Sequence, residues 1–87
     1  MINAAMVTVK IAGAEQHHDM ELPADIPIKE LAPKLLMALK NIEGRLFMGV
    51  ESIKIKPDDE NHYLLDTETL ISAGIWDGSI ITVERRM

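Results

Sequence analysis

Cysteine is absent from the sequence, so disulfide staples, thiolate metal sites and thiol chemistry are all excluded. A reducing compartment fits that absence. Aromatic residues are scarce: Phe47, Tyr63 and Trp76 are the only three. An aromatic-lined ligand pocket and base-stacking recognition of nucleic acid both lack their materials. Positive charge is also short, with 9 basic against 14 acidic residues and a net charge of −5, a balance that repels phosphate backbones. No apolar run is long enough to span a bilayer, and Met1 to Ala5 lacks the basic start and apolar stretch of a secretory signal. The expectation is a soluble, cytoplasmic chain without direct membrane insertion and without nucleic-acid partners.

What is present is an aliphatic majority within a 47% hydrophobic composition, spread over 87 residues. A chain of this size buries only about 60–65% of its unfolded surface, around one core, so residues 1–87 read as a single domain with a patterned core over 6–84.

The pattern changes period along the chain. In Met6 to Ile11, Val7, Val9 and Ile11 alternate with Thr8 and Lys10, the period of a half-buried strand. Gly13 marks a turn, and Asp19 to Leu22 alternates again with Met20 and Leu22 inward, which completes a hairpin. Pro23 closes it. Pro27, with its fixed φ, suits a helix start. From Ile28 to Lys40 the period becomes helical: Ile28, Leu31, Leu35 and Leu39 share a face with Ala32 and Leu36, while Lys29, Glu30, Lys34 and Lys40 lie elsewhere. Pro33 inside this segment removes a backbone donor and predicts a bend or an irregular first turn.

After an aperiodic stretch from Asn41 to Gly49, Ser52 to Lys56 alternates strictly and ends at Pro57. Pro57 to Asn61 is a polar turn. Tyr63 to Leu65 is assigned as a short fourth strand, Thr67 to Gly74 as one helical turn ended by glycine, and Trp76-Asp77-Gly78 as a tight turn into a last strand, Ile80 to Glu84. A hairpin, one long helix and three further strands bury their apolar faces when the sheet wraps the helix. The predicted fold is α+β: a β-grasp with a mixed five-stranded sheet in the order β-β-α-β-β-β.

Two stretches carry a family resemblance. Leu22-Pro23-Ala24-Asp25-Ile26-Pro27-Ile28-Lys29-Glu30-Leu31 resembles the helix entry of the YukD-like (EsaB/YukD) ubiquitin-like proteins. Thr69-Leu70-Ile71-Ser72-Ala73-Gly74-Ile75-Trp76-Asp77-Gly78-Ser79-Ile80-Ile81 is similar to the close of that family, with its aspartate-glycine turn before the last strand. The resemblance covers Met6 to Glu84. It implies a non-conjugated, cytoplasmic accessory part of a bacterial type VII secretion system. Its expected partner is a secretion ATPase or membrane subunit, which could hold it at the inner face of the membrane. Two other readings are a modifier or sulphur carrier and a PB1-like scaffold pairing Lys10 with an acidic motif on another molecule. The first needs a terminal Gly-Gly to carry an acyl group, whereas this sequence ends Glu84-Arg85-Arg86-Met87.

Catalytic signatures are missing. Ser52, Ser72 and Ser79 have no histidine at useful spacing, and there is no phosphate loop, nucleophile elbow or paired-histidine zinc motif. No cofactor or metal is expected. His17 and His18 read as a solvated hairpin turn, and Asp58, Asp59, Glu60 and His62 as a charged turn without calcium-loop spacing. The candidate protein-binding surface is therefore the outward sheet face: Lys10, Lys54, Lys56, Thr82 and Glu84, with Trp76 added as an exposed hot spot or a cap on the core. In ubiquitin the matching positions of the third and last strands are apolar. Lys54, Thr82 and Glu84 stand there in this chain and predict that generic ubiquitin receptors do not bind it. Met1, Met6, Met37 and Met48 are assigned to core gap-filling or the terminus.

Overall fold

Alternation of β-branched residues produces the first hairpin as expected. The computed structural model describes residues 3–58 and 60–87. In it β1 (Ala4–Ile11) pairs antiparallel with β2 (His17–Pro23), Val7 facing Met20 across the ladder. The chain then forms α1 (Ile28–Ile42), β3 (Ser52–Pro57) and β4 (Ile80–Arg86). The last strand enters the centre of the sheet, parallel to β1 (Val9 with Ile81) and antiparallel to β3 (Ile55 with Val83), giving the order β2-β1-β4-β3.

The sheet has four strands among the described residues, not five. Tyr63 to Leu65 makes one rung, the Leu64 N–H donating to the Ile55 carbonyl at 2.8 Å. The chain turns at Leu65, whose N–H donates to Glu68 Oε1 and whose carbonyl accepts from the Glu68 N–H. With that backbone committed to a turn, the segment cannot propagate a ladder. The expected helical turn is a hydrogen-bonded turn closed by Gly74 at φ 75°. The Ile75 N–H reaches the Leu70 carbonyl and the Gly74 N–H the Ile71 carbonyl, the paired bonds of a Schellman close.

The helix packs its Ile28, Leu31, Leu35, Leu36 and Leu39 face against the inward residues of the sheet, including Val7, Val9, Ile11, Ile55, Ile81 and Val83. Pro27 offers no side-chain cap. Instead the first amides are satisfied from the long 58–79 connection: the Ile28 N–H donates to the Glu68 carbonyl and the Lys29 N–H to the Asp66 carbonyl. Pro33 does not interrupt the helix, which runs continuously from Ile28 to Ile42. Its ring lies on the exposed flank, and burial of leucines on both sides of it outweighs the lost donor. The aperiodic segment after the helix is pinned by Phe47 and Val50, both 1% exposed.

Five side-chain assignments change. His17 and His18 lie in β2, not in the turn; His18 is half-buried, its Nε2 2.7 Å from Glu43 Oε2 beyond the end of α1. Met6, Met37 and Met48 are exposed, at 46%, 69% and 74%, because Met6 lies on the outward side of β1 and the other two face away from the leucine stripe and the loop anchors. Met1 and Asp59 lie outside the described residues.

Candidate functional site

Alternation places Lys10, Lys54, Lys56, Thr82 and Glu84 on the sheet face turned away from the helix, since their neighbours Val9, Ile11, Ile53, Ile55, Ile81 and Val83 are buried. Register then draws them into two rows. Lys10 and Lys56 flank Thr82 from the two adjacent strands, and Lys54 sits opposite Glu84.

Each row is organised by a residue outside the strand pattern. Asp58, just past β3, lies 3.5 Å from Lys10 Nζ through Oδ1, and the same oxygen accepts from Thr82 Oγ1 at 3.1 Å. Tyr63 organises the second row: its hydroxyl donates to Glu84 Oε2, and Lys54 Nζ stands 4.9 Å from its ring centroid. The Glu84 carboxylate that accepts this proton, aided by partial burial of the ring, raises the Tyr63 pKa above its ordinary 10.0, with Arg86 opposing. Thr8 and Asp19 continue the face towards β2 through a 2.7 Å hydrogen bond.

This is a polar, structured surface. Its ion pair is exposed and contributes at most about 1 kcal/mol to stability. Lys10 and Lys54 are placed by these contacts and remain in reach of a partner. Lys10 already meets Asp58 of its own chain, the pairing that a PB1-like scaffold would make between molecules.

Trp76 stands apart from these rows. It is 57% exposed, while Ile75 beside it is 3% exposed and fills the core position. It borders a depression of about 270 Å³ with Ala4, Ala24, Ile71 and Asp77, at the end of the sheet where β1 begins. Sequence reasoning missed Asp58 and Tyr63 as members of the face, because each reaches it from a loop. Glu60 lies 3.5 Å from His62, both exposed, and no group of three or more metal-ligating side chains forms among the described residues.

The aspartate-glycine turn fastens the fold. Asp77 Oδ1 accepts from the Met6 N–H at 2.7 Å, the Gly78 N–H donates to the Met6 carbonyl at 2.8 Å, and the Thr8 N–H donates to the Ser79 carbonyl at 2.9 Å. The model of the WXG100 protein secretion system protein YukD matches residues 6–83, a span that contains this turn and the helix entry. The chain belongs to the YukD family. It is a ubiquitin-like domain related to type VII secretion components.

Solved structures similar to this YukD-family chain agree on the fold. The ubiquitin-like domain of the Mycobacterium tuberculosis type VII secretion protein ECCD1 is 20% identical with a TM-score of 0.76, covering 95% of this chain and 99% of that one. The EccD5 ubiquitin-like domain from Mycobacterium xenopi is 19% identical with a TM-score of 0.77, covering 97% and 96%. A chain of the MycP5-free ESX-5 inner membrane complex is 20% identical with a TM-score of 0.75, and the match covers 95% of this chain but only 21% of that one. No curated protein matches the sequence. No helix among the described residues is long and apolar enough to cross a membrane.

Proposed function

We propose that this chain is a non-catalytic interaction module and accessory component of a type VII secretion system. It acts in the cytoplasm and is held at the inner face of the membrane through a secretion ATPase or membrane subunit. The observation that carries the reading is the YukD match over residues 6–83. Likeness to a domain within an inner membrane complex supports a protein partner. The outer face supplies the contact: Lys10, Lys54 and Lys56 offer cations to an acidic surface, Thr82 and Glu84 set register between them, and Trp76 adds an apolar anchor at one end.

The test places a photo-crosslinking residue at Lys54 or Lys56 in the native host and identifies what is captured. Crosslinking to a secretion ATPase or membrane subunit, lost in a Lys10→Glu/Lys56→Glu chain, is the expected result. Unchanged export of small WXG-type substrates after deletion of the gene, with no secretion component captured, would overturn the reading.

A further inference from the structure

The β3 edge of the sheet, beside α1, carries a second surface that the secretion reading leaves unused. Strand β3 forms an edge of the sheet. The Asp58 N–H donates to the Ile80 carbonyl, on the side facing β4, and in an antiparallel ladder this places the backbone groups of Ser52, Lys54 and Lys56 towards β4 and those of Ile53 and Ile55 towards the free edge. The Ile55 carbonyl is taken there by the Leu64 N–H. Ile53 has no such cover: among the described residues, no loop backbone group bonds to its N–H or carbonyl.

Beside this open rung runs an apolar groove of about 250 Å³ between β3 and α1, walled by Ala32, Pro33, Leu36 and Met37 on the helix and by Ser52 and Ile53 on the strand, with Glu51 at one corner. Met37 is 69% exposed. Pro33 lines the groove with a ring that carries no polar side-chain atom, and its missing N–H leaves the Lys29 carbonyl without its usual helical donor. At 100° per residue, exposed Lys29 and Lys40 fall on the same stripe as Pro33 and Leu36, one turn before the proline and one turn after the leucine. The groove is thus apolar at its centre with the Glu51 carboxylate at one corner, and Lys29 and Lys40 lie outside its lining, one helical turn beyond it in each direction along α1. Lys54 flanks the rung on the outer face.

We infer that the β3–α1 groove binds an extended segment of a partner protein, which adds a strand at Ile53, sinks alternate aliphatic side chains between Pro33, Leu36 and Met37, and carries acidic residues at its ends against Lys29 and Lys40. Backbone pairing at the open rung supplies affinity, the groove selects the aliphatic side chains, and the lysines select the flanking charge. This contact is separate from the outer face and does not depend on it.

The experiment titrates the purified chain, labelled with nitrogen-15, with three short acetylated peptides. One has an alternating valine-threonine-isoleucine-threonine-valine centre with acidic ends, one has the same centre with lysine ends, and one is acidic with serine throughout its centre. Saturable amide shifts confined to Ala32, Leu36, Met37, Ser52 and Ile53, with the acidic-ended aliphatic peptide at least tenfold tighter than the other two, are expected. Met37→Glu, a change at an exposed position that leaves the core untouched, should weaken it at least tenfold, and Lys29→Glu/Lys40→Glu should reverse the preference between acidic and lysine ends. Absence of binding by every peptide, shifts centred on Lys10, Thr82 or Trp76, or indifference to Met37→Glu would overturn the inference. So would concentration-dependent shifts at the groove without peptide, which would make a second copy of the chain its occupant.

Discussion

Asp77 holds Met6: its Oδ1 accepts the Met6 backbone N–H at 2.7 Å across a sequence separation of 71 residues. That bond, with the Gly78 N–H on the Met6 carbonyl, sets the register in which β4 slides in parallel beside β1. The aspartate-glycine pair that carries the family resemblance is therefore a fastening between the two ends of the fold. Replacing Asp77 with alanine should lower stability by about 1–2 kcal/mol, because an amide of β1 loses its partner, as read by the urea midpoint at unchanged slope. Asp77→Asn, which keeps an accepting oxygen, should retain part of it.

Gly74 closes its turn at φ 75°, a left-handed conformation, and a methyl group there would meet nothing within 4 Å. The cost of Gly74→Ala is then conformational and not steric, about 1–2 kcal/mol. Because the Schellman close brings Ile75 and Leu70 into the core at 3% and 0% exposure, a larger loss would mean that the turn itself opens. Thermal unfolding of the variant, together with tryptophan fluorescence from the adjacent Trp76, separates the two outcomes.

Tyr63 is the only tyrosine, so its ionisation is read directly by absorbance. Donation to the Glu84 carboxylate raises its pKa, and the spectrophotometric midpoint is expected above 10.0 in the folded chain. Glu84→Gln should bring it back towards the free value, since the hydrogen bond to the charged oxygen is its largest cause. A pKa higher in the folded than in the unfolded chain means that the bond stabilises fully below pH 10 and that the contribution is lost as pH rises through the folded value. Wild type and Glu84→Gln should therefore converge in stability at strongly alkaline pH. Parallel curves would show that the bond is absent in solution.

Much of this arrangement was legible in the sequence, for a physical reason. Alternation fixes a side for every strand residue, so Val9 and Ile81 are found inward and Lys10, Lys54, Lys56, Thr82 and Glu84 outward, as their spacing requires. The helix face was legible from its leucines on the same ground. What escaped depends on contacts between segments distant in sequence. Tyr63 to Leu65 has strand-like residues, but Glu68 draws Leu65 into a turn. His18 meets Glu43 because the end of α1 packs beside β2, and Asp58 meets Lys10 and Thr82 because β4 lies between β1 and β3 in the sheet. No local pattern encodes such pairings. Pro33 predicts a bend or an irregular first turn from sequence, whereas the helix runs through it and its ring forms a wall of the β3–α1 groove.

Arg85 occupies the inward side of β4 after Ile81 and Val83, where an aliphatic residue would continue the pattern. Its guanidinium explains the exception: Nη1 donates to the Leu46 carbonyl at 3.0 Å and Nη2 to the Ala12 carbonyl at 3.2 Å, so one side chain ties the loop after α1 to the β1–β2 turn. Both bonds are partly buried, and a planar fork reaches two carbonyls that a single ammonium cannot hold in the same geometry. Arg85→Ala should cost about 1.5–3 kcal/mol, because hydrogen bonds from a charged donor are lost and two carbonyls are left to find water. Arg85→Lys should recover less than half of this. Hydrogen exchange locates the effect: amides of residues 43–50 and of the turn at 12–16 should lose protection in Arg85→Ala, while those of β1 and β4 keep theirs relative to global stability. Equal loss everywhere would show that Arg85 acts on the whole core and not as a tie between its two loops.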